Sequence, residues 1–161
     1  MRDRPFGVLF VCTGNICRSP MAEAVLLHRL DDSGLELRVD SAGTSAEEEG
    51  NPPDRRARMV AERRGYRMPV RRARPIRRRD FTTFDLILPA TRAHARQLLR
   101  LQPRHSPAEI RLLMEFAANP PSIDIPDPWY GGIADYEHAL DLIEQAVDGL
   151  VAVLRQRLLP R

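Results

Sequence analysis

There is no lysine anywhere in the 161 residues, so all 25 basic side chains are arginine. The simplest source of that bias is genomic composition, and binding a phosphate would need only one arginine in the right place. Cysteine is almost as scarce. Two residues, Cys12 and Cys17, do not make a disulfide framework, which points to a reducing compartment and a cytoplasmic protein. No apolar run approaches the length of a membrane span, and the chain does not start with the charged-then-apolar pattern of a signal peptide, so no membrane association is expected. Internal repeats, low-complexity tracts and a linker are also missing, and the length suits one domain over residues 1–161 with a real core.

Charge is present but unevenly spread. Twelve arginines fall between Arg55 and Arg79, whereas the segment from Asp124 to Asp148 is acidic. Such a run is usually a solvated face, and an acidic partner or nucleic acid is the alternative. Aromatic residues make up 6% of the chain and do not interleave with these arginines, so no nucleic acid is expected.

Hydrophobic spacing outlines the elements. Val8 to Val11 is an unbroken apolar run and reads as a buried strand. Leu35–Val39, Asp85–Leu88 and Ile110–Leu113 are three more strand candidates. Helical spacing continues through Met21–Leu30, Arg55–Arg64, Ala93–Leu101 and Asp135–Leu159. His94 reads as an ordinary surface residue of its helix. Strands alternating with helices predict an α/β fold with a parallel sheet, its site at the carboxyl ends of the strands.

The informative stretch is Val8-Leu9-Phe10-Val11-Cys12-Thr13-Gly14-Asn15-Ile16-Cys17-Arg18-Ser19-Pro20. A strand runs into a small-residue turn and then a helix start, an arrangement whose inward N–H groups and helix dipole hold an anion. Cys12 stands at the strand end and Arg18 across the loop. A thiolate surrounded by N–H donors and a cation is a nucleophile at neutral pH. A guanidinium matches two oxygens of a phosphoryl group. Asn15 suits the left-handed backbone that such loops require.

Cys12-Thr13-Gly14-Asn15-Ile16-Cys17-Arg18-Ser19-Pro20 on its leading strand resembles the low-molecular-weight protein tyrosine phosphatase family. Weaker echoes in Asp40–Thr44, Asn51–Asp54 and Asp127–Tyr130 extend the resemblance over nearly the whole chain. It implies a four-stranded parallel sheet with helices on both faces. It also implies hydrolysis of protein phosphotyrosine through a cysteinyl-phosphate, with neither metal nor cofactor because the loop supplies the positive field. Cys12 would be the nucleophile, Arg18 the phosphate clamp and Asp127 the general acid and then base. Thr13, Gly14, Asn15, Ile16, Cys17, Arg18 and Ser19 would bind the phosphate, Ser19 also bonding the thiolate. Ser41 would support the loop from behind, and Trp129 and Tyr130 would wall the cleft. A monomer is expected, weak self-association being the alternative. Cys17 reads equally as a packed small residue or as the partner of Cys12 in a reversible disulfide.

Three positions depart from the family pattern. Glu47 stands where an aromatic cleft residue is usual, Arg71 replaces a histidine that bonds the loop asparagine, and Thr91 occupies the place of an aspartate behind the site. A thioredoxin-coupled arsenate reductase would need resolving cysteines this chain lacks. A protein-arginine phosphatase is the nearer alternative, although that branch typically carries threonine where Ile16 stands. A catalytically weak phosphate-binding module is the non-enzymatic one.

Overall fold

A computed structural model describes residues 3–160. Its first strand, β1 (Phe6–Cys12), is apolar throughout because both faces are covered. Val8, Phe10 and Cys12 pack into a large cluster with residues of the helices α1 (Arg18–Leu30), α2 (Arg55–Arg63) and α5 (Ile133–Leu158). Leu9 and Val11 point the other way, onto Phe81, Phe84 and Leu98 from α3 (Asp80–Thr83), the turn after it and α4 (Arg92–Leu101). Alternate side chains of one strand thus serve two cores, as expected of a parallel sheet sandwiched by helices. The order is β2-β1-β3-β4, all parallel, with β2 at Leu37–Gly43, β3 at Leu86–Pro89 and β4 at Glu109–Ile110. This is the four-stranded parallel sheet with helices on both faces that the resemblance implies.

Two strands differ from expectation. The second starts later and runs on through Asp40 and Ser41 to Gly43, because it pairs with β1 up to the Cys12–Gly43 register. The fourth ends at Ile110, and Leu113–Phe116 forms a 3-10 turn whose Leu113 and Met114 are buried in the large core. That turn lies tight under α5. A Cβ built on Gly149 would sit 1.8 Å from the Phe116 carbonyl oxygen. In an open helix, alanine for glycine would stabilise. Here Gly149→Ala is expected to cost about 1–3 kcal/mol by overpacking, read as a lower denaturation midpoint; a raised midpoint would contradict the contact.

The charge segregation seen along the sequence partly closes on itself. Arg64 lies 3.0 Å from Glu137, 2.9 Å from Asp141 and 2.7 Å from Glu144, three carboxylates of α5. Arg74 pairs with Asp40 at 3.1 Å and Asp80 at 3.0 Å. Several arginines of the basic stretch are therefore internal ties rather than a purely solvated face.

Candidate active site

β1 ends at Cys12 and α1 begins at Arg18, leaving residues 13–17 to turn the chain. Asn15 takes φ = 61°, the left-handed conformation expected of it. Its amide Nδ2 donates to Ser19 Oγ at 2.8 Å and to Ser41 Oγ at 2.9 Å, while Oδ1 accepts from the Arg74 N–H at 3.0 Å. The loop is also gripped along its backbone: Ser45 N–H donates to the Thr13 carbonyl at 3.0 Å. Gly43 makes that approach possible, since a Cβ there would lie 2.5 Å from the Thr13 oxygen.

Behind Ser41 stands Glu23, buried at 1% exposure and accepting from Ser41 Oγ at 2.7 Å. Burial pushes its carboxyl up to about 7, against the pull of the Ser41 hydrogen bond and Arg71. Arg71 reaches this group rather than Asn15: its guanidinium pairs with Glu23 at 2.8 Å and with Asp40. The loop asparagine is thus held by a backbone N–H, and Arg71 acts one step further back through Glu23 and Ser41.

Cys12 Sγ is buried, 3.0 Å from Ser19 Oγ and 3.4 Å from the Ser19 N–H that donates to it. Arg18 is buried alongside. Its Nη1 donates to the Ile125 carbonyl at 2.9 Å and its Nη2 to Thr13 Oγ1 at 3.3 Å. Nε is buried without a hydrogen-bond partner. Among the described residues, no protein acceptor takes the backbone N–H of Gly14, Ile16 or Cys17. An orphaned guanidinium donor beside free N–H groups and a helix start fits a tetrahedral anion.

Asp127 opens a short 3-10 turn, Pro128–Tyr130, and caps it by accepting the Trp129 N–H at 3.1 Å. Its other oxygen lies 3.6 Å from Arg18 Nη2, and the side chain is 40% exposed. Asp124, the other aspartate of the same loop, is occupied instead by Arg92, through its N–H at 2.8 Å and Nη2 at 3.1 Å. Arg56 braces the Asp127 turn from α2. It donates to the carbonyls of Gly131 at 3.0 Å and Trp129 at 3.3 Å, and lies 5.4 Å from the Trp129 ring centre.

These groups enclose one cavity of about 120 Å³. Cys12, Thr13, Gly14, Ile16, Cys17 and Arg18 line it, with Glu47, Glu48, Asp127, Trp129 and Tyr130 also in its wall. A larger groove, about 720 Å³ and lined by residues between 52 and 72, has no cysteine in its wall, whereas the smaller one brings Cys12, Arg18 and Asp127 together. Trp129 and Tyr130 are 41% and 90% exposed and thus form a rim rather than core. Cys17 is a packed thiol, 3.3 Å from Tyr136 Oη and pushed up to about 12 by burial.

The sequence reading misplaces His94. Far from lying on the helix surface, it is 5% exposed, with Nε2 2.7 Å from Thr13 Oγ1 and Nδ1 2.9 Å from Thr91 Oγ1. Thr91, which caps α4 by accepting the His94 N–H at 3.2 Å, therefore meets the site through His94. The cue was the threonine three residues before a histidine at a helix start. Glu48 and Arg56 were missed as well, since neither belongs to a local pattern.

Comparison with known proteins places this geometry. A model of the family "Low molecular weight phosphotyrosine protein phosphatase" matches residues 7–158. A low molecular weight protein-tyrosine-phosphatase of Streptomyces coelicolor is 41% identical over 157 residues, covering 94% of this chain and 95% of its own. The crystal structure of a protein tyrosine phosphatase from Entamoeba histolytica, with Hepes in its active site, superposes with a TM-score of 0.90. It is 34% identical, with 94% of this chain and 98% of that one covered. An arginine phosphatase from Geobacillus stearothermophilus superposes with a TM-score of 0.81 at 30% identity, with 95% of each chain covered.

Proposed function

The chain belongs to the low molecular weight phosphotyrosine protein phosphatase family, and from that premise we propose that it hydrolyses protein phosphotyrosine through a cysteinyl-phosphate intermediate. The observation that carries the mechanism is Arg18, its Nε buried without a partner, lining one cavity together with Cys12 and Asp127. Cys12 attacks as thiolate, its charge held by the Ser19 hydroxyl and N–H. The sulfur–phosphorus bond forms as the bond to the phenolic oxygen breaks, and Asp127 gives that oxygen its proton. Arg18 and the backbone N–H groups from Thr13 to Arg18 hold the equatorial oxygens while charge shifts along the reaction axis. In the second step the Asp127 carboxylate takes a proton from water. The water oxygen then bonds to phosphorus, and the thiolate leaves.

The remaining residues support this centre. Asn15, Ser41, Glu23 and Arg71 hold the loop from behind, and Trp129 and Tyr130 flank the phenyl ring. The whole chain works as one domain and a monomer. Its setting is the cytoplasm, where Cys12 stays reduced. Among the described residues no helix is long and apolar enough to cross a membrane.

Glu47 and Glu48 in the cavity wall favour a second reading, in which the phosphorylated side chain is the cationic arginine. Paired peptides with one phosphotyrosine or one phosphoarginine, assayed with reductant and without added metal, separate the two. Faster turnover of phosphotyrosine is expected, with a phosphate adduct on Cys12 trapped by acid quench. Preference for phosphoarginine would move the assignment to the second branch. Binding of both peptides without turnover would leave a phosphate-binding module.

A further inference from the structure

We infer that His94 and Thr13 form a strut that sets the orientation of the Arg18 guanidinium, making His94 a positioning residue of the phosphate site. The inference rests on the phosphatase reading for its kinetic consequences and on geometry for its premise.

The strut starts at the first turn of α4. Thr91 Oγ1 takes the His94 N–H that caps the helix and also lies 2.9 Å from Nδ1, so one residue fixes both the helix end and the ring. The opposite edge of the ring meets the loop, with Nε2 2.7 Å from Thr13 Oγ1. That oxygen in turn accepts from Arg18 Nη2 at 3.3 Å. One assignment of hydrogens satisfies the whole series. Arg18 donates to the Thr13 oxygen, the Thr13 hydroxyl donates to Nε2, and Nδ1–H donates to Thr91. It requires a neutral ring. Burial and the Arg18 charge push His94 down to about 4, against the opposing pull of Asp127 and Asp124.

Arg18 needs such a support because its donors face different ways. Nη1 is tied to the Ile125 carbonyl at 2.9 Å. Nη2 lies between two oxygens, Thr13 Oγ1 at 3.3 Å and Asp127 Oδ2 at 3.6 Å. Remove the hydroxyl or its anchor and Nη2 has only the carboxylate left. The guanidinium then turns toward Asp127 and away from the anion, at a site where small misplacements are costly. A residue that merely filled space would alter stability, but not the affinity of the folded protein for phosphate.

A double-mutant cycle tests this. Thr13→Val, His94→Leu, the double variant and His94→Gln are compared with wild type for kcat and KM on p-nitrophenyl phosphate. The affinity for inorganic phosphate is measured by calorimetry. Each single apolar variant is expected to bind phosphate about ten-fold more weakly, the scale of one hydrogen bond to a charged group. The double variant should lose no more than the worse single one, because both act through one route. His94→Gln, whose amide reaches toward the Nε2 position, should recover most of the loss. Wild-type phosphate affinity in Thr13→Val, or losses that multiply in the double variant, would overturn the strut. Thr13 is exposed, so its variant carries the test even if His94→Leu does not fold. An inactive wild type would instead overturn the phosphatase reading, and the calorimetry would still decide on the strut.

Discussion

Cys12→Ser is expected to abolish turnover of p-nitrophenyl phosphate, by a factor on the order of 10⁴ or more, while leaving phosphate binding in place. The serine is close in size, so the loop geometry built by Asn15, Ser41 and Gly43 survives. Arg18 is untouched, with its Nη1 bond to Ile125 and its buried, unpartnered Nε. What disappears is the nucleophile. A thiol is acidic enough to react as its anion, whereas an alcohol needs a base to take its proton, and Asp127 enters the first step as the acid. His94 is committed to Thr13 and Thr91. The variant should therefore hold a phosphotyrosine peptide without cleaving it and form no acid-stable adduct. Residual turnover within ten-fold of wild type would remove Cys12 from the mechanism. Loss of phosphate binding as well would mean that the thiol shapes the loop rather than reacting.

How much of this site can be read from sequence depends on how local each contact is. Cys12 to Ser19 is one contiguous stretch, and its full sequence on a leading apolar strand, rather than the spacing of Cys12 and Arg18 by itself, marks a nucleophile, a cation and a helix start around one point. β1 was equally plain, because a strand covered on both faces has no polar interruption. His94 was not legible. A histidine in the first turn of a polar helix matches a surface pattern, and only the packing of α4 beside the loop brings it to Thr13, 81 positions away in sequence. Arg71 is a different case. The sequence leaves open whether it replaces the histidine or the loop is held another way, and the second holds: the Arg74 N–H takes Asn15, and the longer arginine extends to Glu23 and Asp40. The fourth strand was overextended because Leu112 and Leu113 are apolar, and apolarity does not distinguish a strand from a turn tucked beneath a helix.

The second large effect separates an acid from an ion-pair partner. Asp127→Asn should lower kcat by about 10²–10⁴-fold on phenyl phosphate and far less on p-nitrophenyl phosphate, whose leaving group needs little protonation. The amide keeps an oxygen for the Trp129 N–H, which bonds Asp127 at 3.1 Å, and Arg56 still braces the turn. The geometry of the loop should persist while the proton is lost. Breakdown of the adduct should slow too, because the same carboxylate activates the water, so trapped cysteinyl-phosphate builds up on a good leaving group. Asp124 offers no rescue, being bound to Arg92. The contrast between substrates is decisive, because Asp127 also sits 3.6 Å from Arg18. If its only part were to balance that charge, the loss would be the same for both leaving groups and would follow phosphate affinity. A loss that grows with the basicity of the leaving group assigns Asp127 the proton.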